Sequence, residues 1–112
     1  MEIDATQCGQ LKLSLTFELE GWTEQPYFRR KIKLNQRLLH AKYPQIDVLE
    51  GEIAWGYGGT GPHNLAKVIL YELCGPKFLK NHPGLVHNLV CELICNLAKV
   101  DEPFHWQGTV TI

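Results

Sequence analysis

Four glycines, Gly56, Gly58, Gly59 and Gly61, fall within six residues, interleaved with Tyr57 and Thr60 and followed directly by Pro62 and His63. Glycine-rich chain ahead of a helix is suited to anion binding. The helix start presents unsatisfied N–H groups and about half a positive charge, and glycine lets a ligand approach the backbone. On this reading Gly58, Gly59 and Gly61 give backbone contacts and Thr60 a hydroxyl. Trp55 and Tyr57 offer flat faces for a base or sugar, and His63 and Arg30 provide a polar clamp. The known phosphate fingerprints fit poorly. A P-loop counted from Gly56 reaches its second glycine at Gly61, but Pro62 and His63 stand where Lys and Ser/Thr are required. The G-x-G-x-x-G spacing is met literally from Gly56 to Gly61, without the βαβ unit and distal acid that give it meaning. The same residues also have a structural reading: a tight strand-to-helix reversal with Trp55 and Tyr57 as core aromatics.

A second constellation lies near the C-terminus. His87, Cys91 and Cys95 are spaced four apart, so on a helix they share a sector of roughly 80°. With Cys74 as a fourth donor they could ligate a metal. Equally, they form a half-buried stripe of small residues opposite Leu85, Leu89, Val90, Leu93 and Leu97, since free cysteine packs as a small apolar side chain. The packing reading is preferred, with no metal and no cofactor expected. The fourth cysteine, Cys8, completes a set without any C-x-x-C spacing, and free thiols are expected. His40, His63, His82, His87 and His105 are candidate bases, and Tyr57, Thr60 and the cysteines candidate nucleophiles. No nucleophile–base spacing singles out a pair.

The elements that must position these groups follow from periodicity. Residues 11–20 alternate strictly, with Leu11, Leu13, Leu15, Phe17 and Leu19 against Lys12, Ser14, Thr16, Glu18 and Glu20, which predicts a half-buried strand ended by Gly21. Residues 21–26 read as a loop and residues 27–34 as an antiparallel second strand, with Phe28, Ile32, Leu34 and Arg30 on one face. Residues 35–43 read as a short helix capped by Asn35, residues 45–51 as a loop or short edge, and residues 52–57 as a strand. Residues 62–74 predict a helix started by proline and stopped at Gly75. Residues 77–82 link it to a second helix over residues 83–98, and residues 104–112 form a closing strand. The order β-β-(short α)-β-α-α-β predicts an α+β domain spanning residues 1–112, an antiparallel sheet with two main helices on one face.

The chain has 112 residues, 45% of them hydrophobic and 21% charged, with net charge −1. This composition supports one folded core and gives no global basic field for bulk nucleic-acid binding. No apolar run reaches the length of a membrane span. The polar first ten residues predict no secretory leader, and hence a cytoplasmic protein.

The run Trp55-Gly56-Tyr57-Gly58-Gly59-Thr60-Gly61-Pro62-His63-Asn64-Leu65-Ala66 resembles the motif W-G-Y-G-G-[ST]-G-P-x-x-L-A of small uncharacterised proteins of bacteria, phages and mobile elements. Trp106 and Ile112 are similar to that family's ending, and the resemblance covers residues 27–112. It implies one compact domain centred on the glycine turn, and brings no activity, cofactor or catalytic residue. The resulting expectation is a non-enzymatic binding module of phage or mobile-element type, holding a phosphate-bearing or nucleotide-like ligand at the turn. Two alternatives stand beside it. One is a protein–protein inhibitor or accessory subunit, for example against a host defence complex; the other is a small enzyme using His63 and Tyr57. A sheet with helices on one face also leaves a second face on which a homodimer could form.

Overall fold

Strict alternation in the long N-terminal segment sets the architecture. The computed structural model describes residues 3–7, 10–100 and 102–112, so Cys8 and Gly9 lie outside it. The strands are β1 (Ile3–Gln7), β2 (Gln10–Glu24), β3 (Arg29–Leu34), β4 (Arg37–Leu38), β5 (Lys42–Tyr43), β6 (Val48–Leu49) and β7 (Phe104–Thr111). The helices are α1 (Thr60–Cys74), α2 (Pro76–Asn81) and α3 (Gly84–Glu92). β2 is the hub. It pairs antiparallel with β1, with β3 from Leu19↔Leu34 to Glu24↔Arg29, and with β7 from Ser14↔Thr111 to Gly21↔Phe104. β4 extends the sheet beyond β3, and β5 and β6 form a separate pair. The fold is α+β, as the order of elements predicts.

The two faces of β2 differ as its period-two pattern requires. Leu13, Leu15, Phe17 and Leu19 are buried and join one core with Ile32, Leu34, Val110, Ile112 and the apolar sides of α1 and α3. Each such side chain contributes about 2 kcal/mol when fully buried. The opposite face carries polar cross-strand pairs: Ser14 with Thr111 (3.0 Å), Thr16 with Thr109 (2.7 Å) and Glu18 with His105 (2.5 Å). This is the solvated face of an antiparallel sheet.

Several expectations are corrected. Gly21 does not end the strand; β2 continues to Glu24. A side chain at Gly21 would overlap the Phe104 ring, so the glycine lets that ring lie across the strand from β7. The second strand begins at Arg29, leaving Phe28 exposed in the turn with φ 52°. The helix predicted over residues 35–43 is absent. Asn35 and Gln36 both have positive φ, 51° and 67°, and make the two-residue hairpin turn between β3 and β4. Asn35 does act as a cap-like acceptor, but for the Glu18 N–H of β2 (2.9 Å). The short oxygen that suits asparagine to a helix start suits it equally to a turn.

Residues 52–57 are not a strand. Ile53, Ala54 and Trp55 are all buried, so the segment threads the interior rather than lying on a half-solvated sheet. The expected link over residues 77–82 is largely the helix α2. The last helix ends at Glu92, where Leu93 departs to φ −137°, and residues Ile94–Asn96 form a 3-10 turn. That break leaves the Ile94 carbonyl able to accept the Gly56 N–H (3.1 Å).

Candidate functional site

The proline-started helix is present almost as predicted. α1 begins at Thr60, and Pro62 falls within its first turn, where a missing N–H costs nothing. Gly75 closes it with φ +89° and a bond from its N–H to the Tyr71 carbonyl (2.9 Å). Asn64 ties the first turn to the preceding chain by donating to the Glu52 carbonyl (3.0 Å).

The glycine turn is closely packed. Gly56 has φ +87°, and a Cβ there would stand 2.6 Å from the Ala98 carbonyl oxygen. At Gly61 a Cβ would meet Ala54 at 2.6 Å and the Tyr57 hydroxyl at 2.9 Å. The Tyr57 ring therefore folds back over the turn and remains partly exposed. Trp55 is fully buried, donates its indole N–H to the Glu102 carbonyl (2.8 Å) and meets Phe104 edge-on. It has no free face on which a ligand could stack. Gly58 and Thr60 are exposed at the turn, and no side chain caps α1. Arg30 sits elsewhere, lining a shallow depression with Tyr27, Phe28, Arg29 and Gly51 at the tip of the β2–β3 hairpin.

His63 does something the spacing did not show. Its ring Nδ1 donates to the Gly59 carbonyl (2.8 Å), and its Nε2 faces His87 Nδ1 at 3.2 Å. The two ring planes are 23° apart with centroids 5.4 Å apart, the separation of rings meeting edge to edge. His87 Nε2 in turn faces Cys91 Sγ at 3.3 Å. The short α2 reverses the chain, so that the first turns of α3 lie beside the first half of α1. No spacing rule links His63 to His87; only the helix packing does. The i, i+4 contact of His87 with Cys91 was legible as a stripe. Cys95 leaves that stripe because the helix breaks, and its thiol donates to the Cys91 carbonyl (3.4 Å). Among the described residues no group of three His, Cys, Asp or Glu side chains converges as a metal set.

The remaining histidines are engaged separately. His105 pairs with Glu18, His40 lies 3.9 Å from Glu72, and His82 packs on Phe78. Cys74 is half-buried, and that burial pushes its thiol pKa up.

Beside the His63–His87 pair lies a cleft of 470 Å³ lined by Ile46, His63, Lys67, Leu79, Pro83, Val86 and His87. Ile46, Leu79, Pro83 and Val86 make its walls apolar. Lys67, one helical turn after His63 on α1, brings a positive charge. Ile46 is carried there by the 3-10 turn Pro44–Ile46, anchored by the preceding Tyr43. Tyr43 is buried, its hydroxyl accepts the His40 N–H (3.0 Å), and its ring meets Tyr71 edge-on. Burial pushes its phenol pKa up to about 12.

Comparison of the chain with protein-family models, curated proteins and solved structures returns no match. Among the described residues no helix is long and apolar enough to cross a membrane.

Proposed function

We propose that this protein is a small binding module whose ligand sits in the cleft between α1, α2 and α3, with an apolar body against Ile46, Leu79 and Val86 and an anionic end, carboxylate or phosphate, at Lys67. The carrying observation is the cleft itself: 470 Å³ of mainly apolar wall with a lysine and two imidazoles in its lining. Sites for small molecules have this size and this sparse polar content. The proposal keeps the binding reading and the mobile-element setting of the motif, and moves the ligand from the backbone of the glycine turn to the cleft beside it. Two facts favour the move: Tyr57 covers Gly59 and Gly61, and both ring nitrogens of His63 are already engaged.

The test is an NMR titration with a panel of medium-chain carboxylates, aryl phosphates and nucleotides. The expected result is saturable shifts confined to Ile46, Lys67, Val86 and His87, with affinity about tenfold weaker in Lys67→Gln. Shifts centred on Gly58 to Gly61 would return the ligand to the turn, and no shift with any compound at millimolar concentration would remove the reading.

One observation favours a protein partner instead. Tyr27 and Phe28 are 78% and 65% exposed at the hairpin tip, beside Arg29. Aromatic and arginine side chains of this kind anchor protein interfaces. Here Tyr27→Ser with Phe28→Ser would leave the fold intact and abolish retention of a stoichiometric host protein.

A further inference from the structure

The hydrogen-bond chain from Gly59 to Cys91 has one direction while both imidazoles are neutral. A carbonyl only accepts, so His63 Nδ1 carries the proton that Gly59 receives. His63 Nε2 is then a lone pair and accepts from His87 Nδ1–H. His87 Nε2 is left as a lone pair facing the Cys91 thiol, whose S–H donates to it. Moving that one proton from Cys91 to His87 makes a thiolate beside an imidazolium, and every other bond in the chain stays as it was. This is a nucleophile, a base, and a group that orients the base. Cys91 is exposed, and it continues the α3 face that runs from Pro83 through His87 along the cleft wall.

We propose that Cys91 is an acyl-accepting nucleophile, taking an acyl group from an activated ester or thioester whose apolar chain lies in the cleft. This rests on the reading of the cleft as a ligand site. Cys91 Sγ passes its proton to His87 Nε2 and bonds to the acyl carbon. The bond from that carbon to the leaving oxygen or sulfur breaks, and His87 returns the proton to the departing alcohol or thiol. Water then attacks the thioester carbon and gives a proton to His87. The carboxylic acid departs, and the proton on His87 restores the Cys91 thiol. Nothing is oxidised or reduced. His63 touches no reacting atom; it is a positioning residue that fixes the His87 tautomer.

The other described thiols provide internal controls. Cys95 donates to a carbonyl, and Cys74 is half-buried, which pushes its thiol pKa up. The experiment treats the full chain with p-nitrophenyl hexanoate or p-nitrophenyl acetate, following nitrophenolate release, intact mass and peptide maps across pH. The expected result is a single acyl adduct on the Cys91 peptide, formed about tenfold faster from the hexanoate. His87→Gln slows acylation about a hundredfold, and Cys91→Ser removes the adduct. His63→Ala slows it about tenfold and shifts the pH profile. His63→Gln, whose amide oxygen can accept the His87 N–H, restores both. Adduct spread evenly over the cysteines, or acylation unaffected by His87→Gln, overturns the nucleophile and leaves the cleft reading standing if the hexanoate preference persists. Equal rates with the two esters, with the dependence on His87 intact, overturn the cleft as the acyl seat and count against the binding reading.

Discussion

The glycine turn and the His–Cys face of α3 lie close together, joined by the bond from His63 to Gly59, yet they use unusual residues in opposite ways. At the turn, the absence of side chains matters. Gly56 and Gly61 allow backbone and rings to approach where a Cβ would collide, and the aromatic Trp55 is swallowed by the core. On α3, the side chains matter. His87 and Cys91 are exposed and linked to each other, and His87 lines the cleft rather than the core. A dense glycine cluster thus marks close packing here, whereas chemically usable groups gather where polar side chains are satisfied by one another at the surface. The difference predicts that the turn governs stability and the α3 face governs reactivity.

That division can be broken from its stronger side first. Gly56→Ala should cost about 3 kcal/mol of folding free energy in urea unfolding, from positive φ combined with a clash against the Ala98 carbonyl. Trp55→Phe should cost about 2 kcal/mol, leaving the Glu102 carbonyl without its donor and a void beside Phe104. A smaller, pH-dependent effect comes from the cleft's anchor. Tyr43 has its pKa raised from 10.0 to about 12, so the native state holds its proton more tightly than the unfolded chain. Stability is therefore undiminished below pH 10 and falls as pH rises toward 12. Tyr43→Phe should flatten that decline, as followed by unfolding at a series of alkaline pH values.

The smallest effects sharpen the contrast. His87→Gln and Cys91→Ser should each change stability by no more than about 0.5 kcal/mol, because both residues are exposed. Gly58→Ala should be as mild, since open space surrounds its missing Cβ and its φ is not positive. If His87→Gln destabilised the chain as much as Gly56→Ala, the α3 face would be a folding element and the distinction would collapse.

Legibility followed the range of the physics involved. The alternation of residues 11–20 demanded a half-buried strand, and β2 is one. Pro62 and Gly75 bracketed a helix that is there. Both signals are local. The hairpin turn at Asn35 is ambiguous in sequence because the side-chain oxygen that caps helices also stabilises turns, and which it does depends on β2 lying alongside. The end of α3 at Glu92 has no local stop signal such as glycine or proline, and the contact that uses the freed Ile94 carbonyl comes from Gly56, far away in sequence. The same holds at the site. The His87–Cys91 contact spans one helical turn and could be read from spacing. The His63–His87 contact spans 24 residues and two helices, and the cleft draws its lining from α1, α2, α3 and the Pro44–Ile46 turn. No pattern within one element encodes such a meeting.

The pairing of β2 with β7 also constrains time. Ser14 and Thr111 meet across 97 residues, so the central ladder closes a loop that includes nearly every other element. Closing such a loop costs entropy before its contacts stabilise anything. The β2–β3 hairpin and the α1–α3 contact need only short chain segments and can assemble early. The buried row from Leu13 to Leu19 gains its second flank only when β7 arrives, and emerging from a ribosome it would stay uncovered there until residues 104–111 had been made.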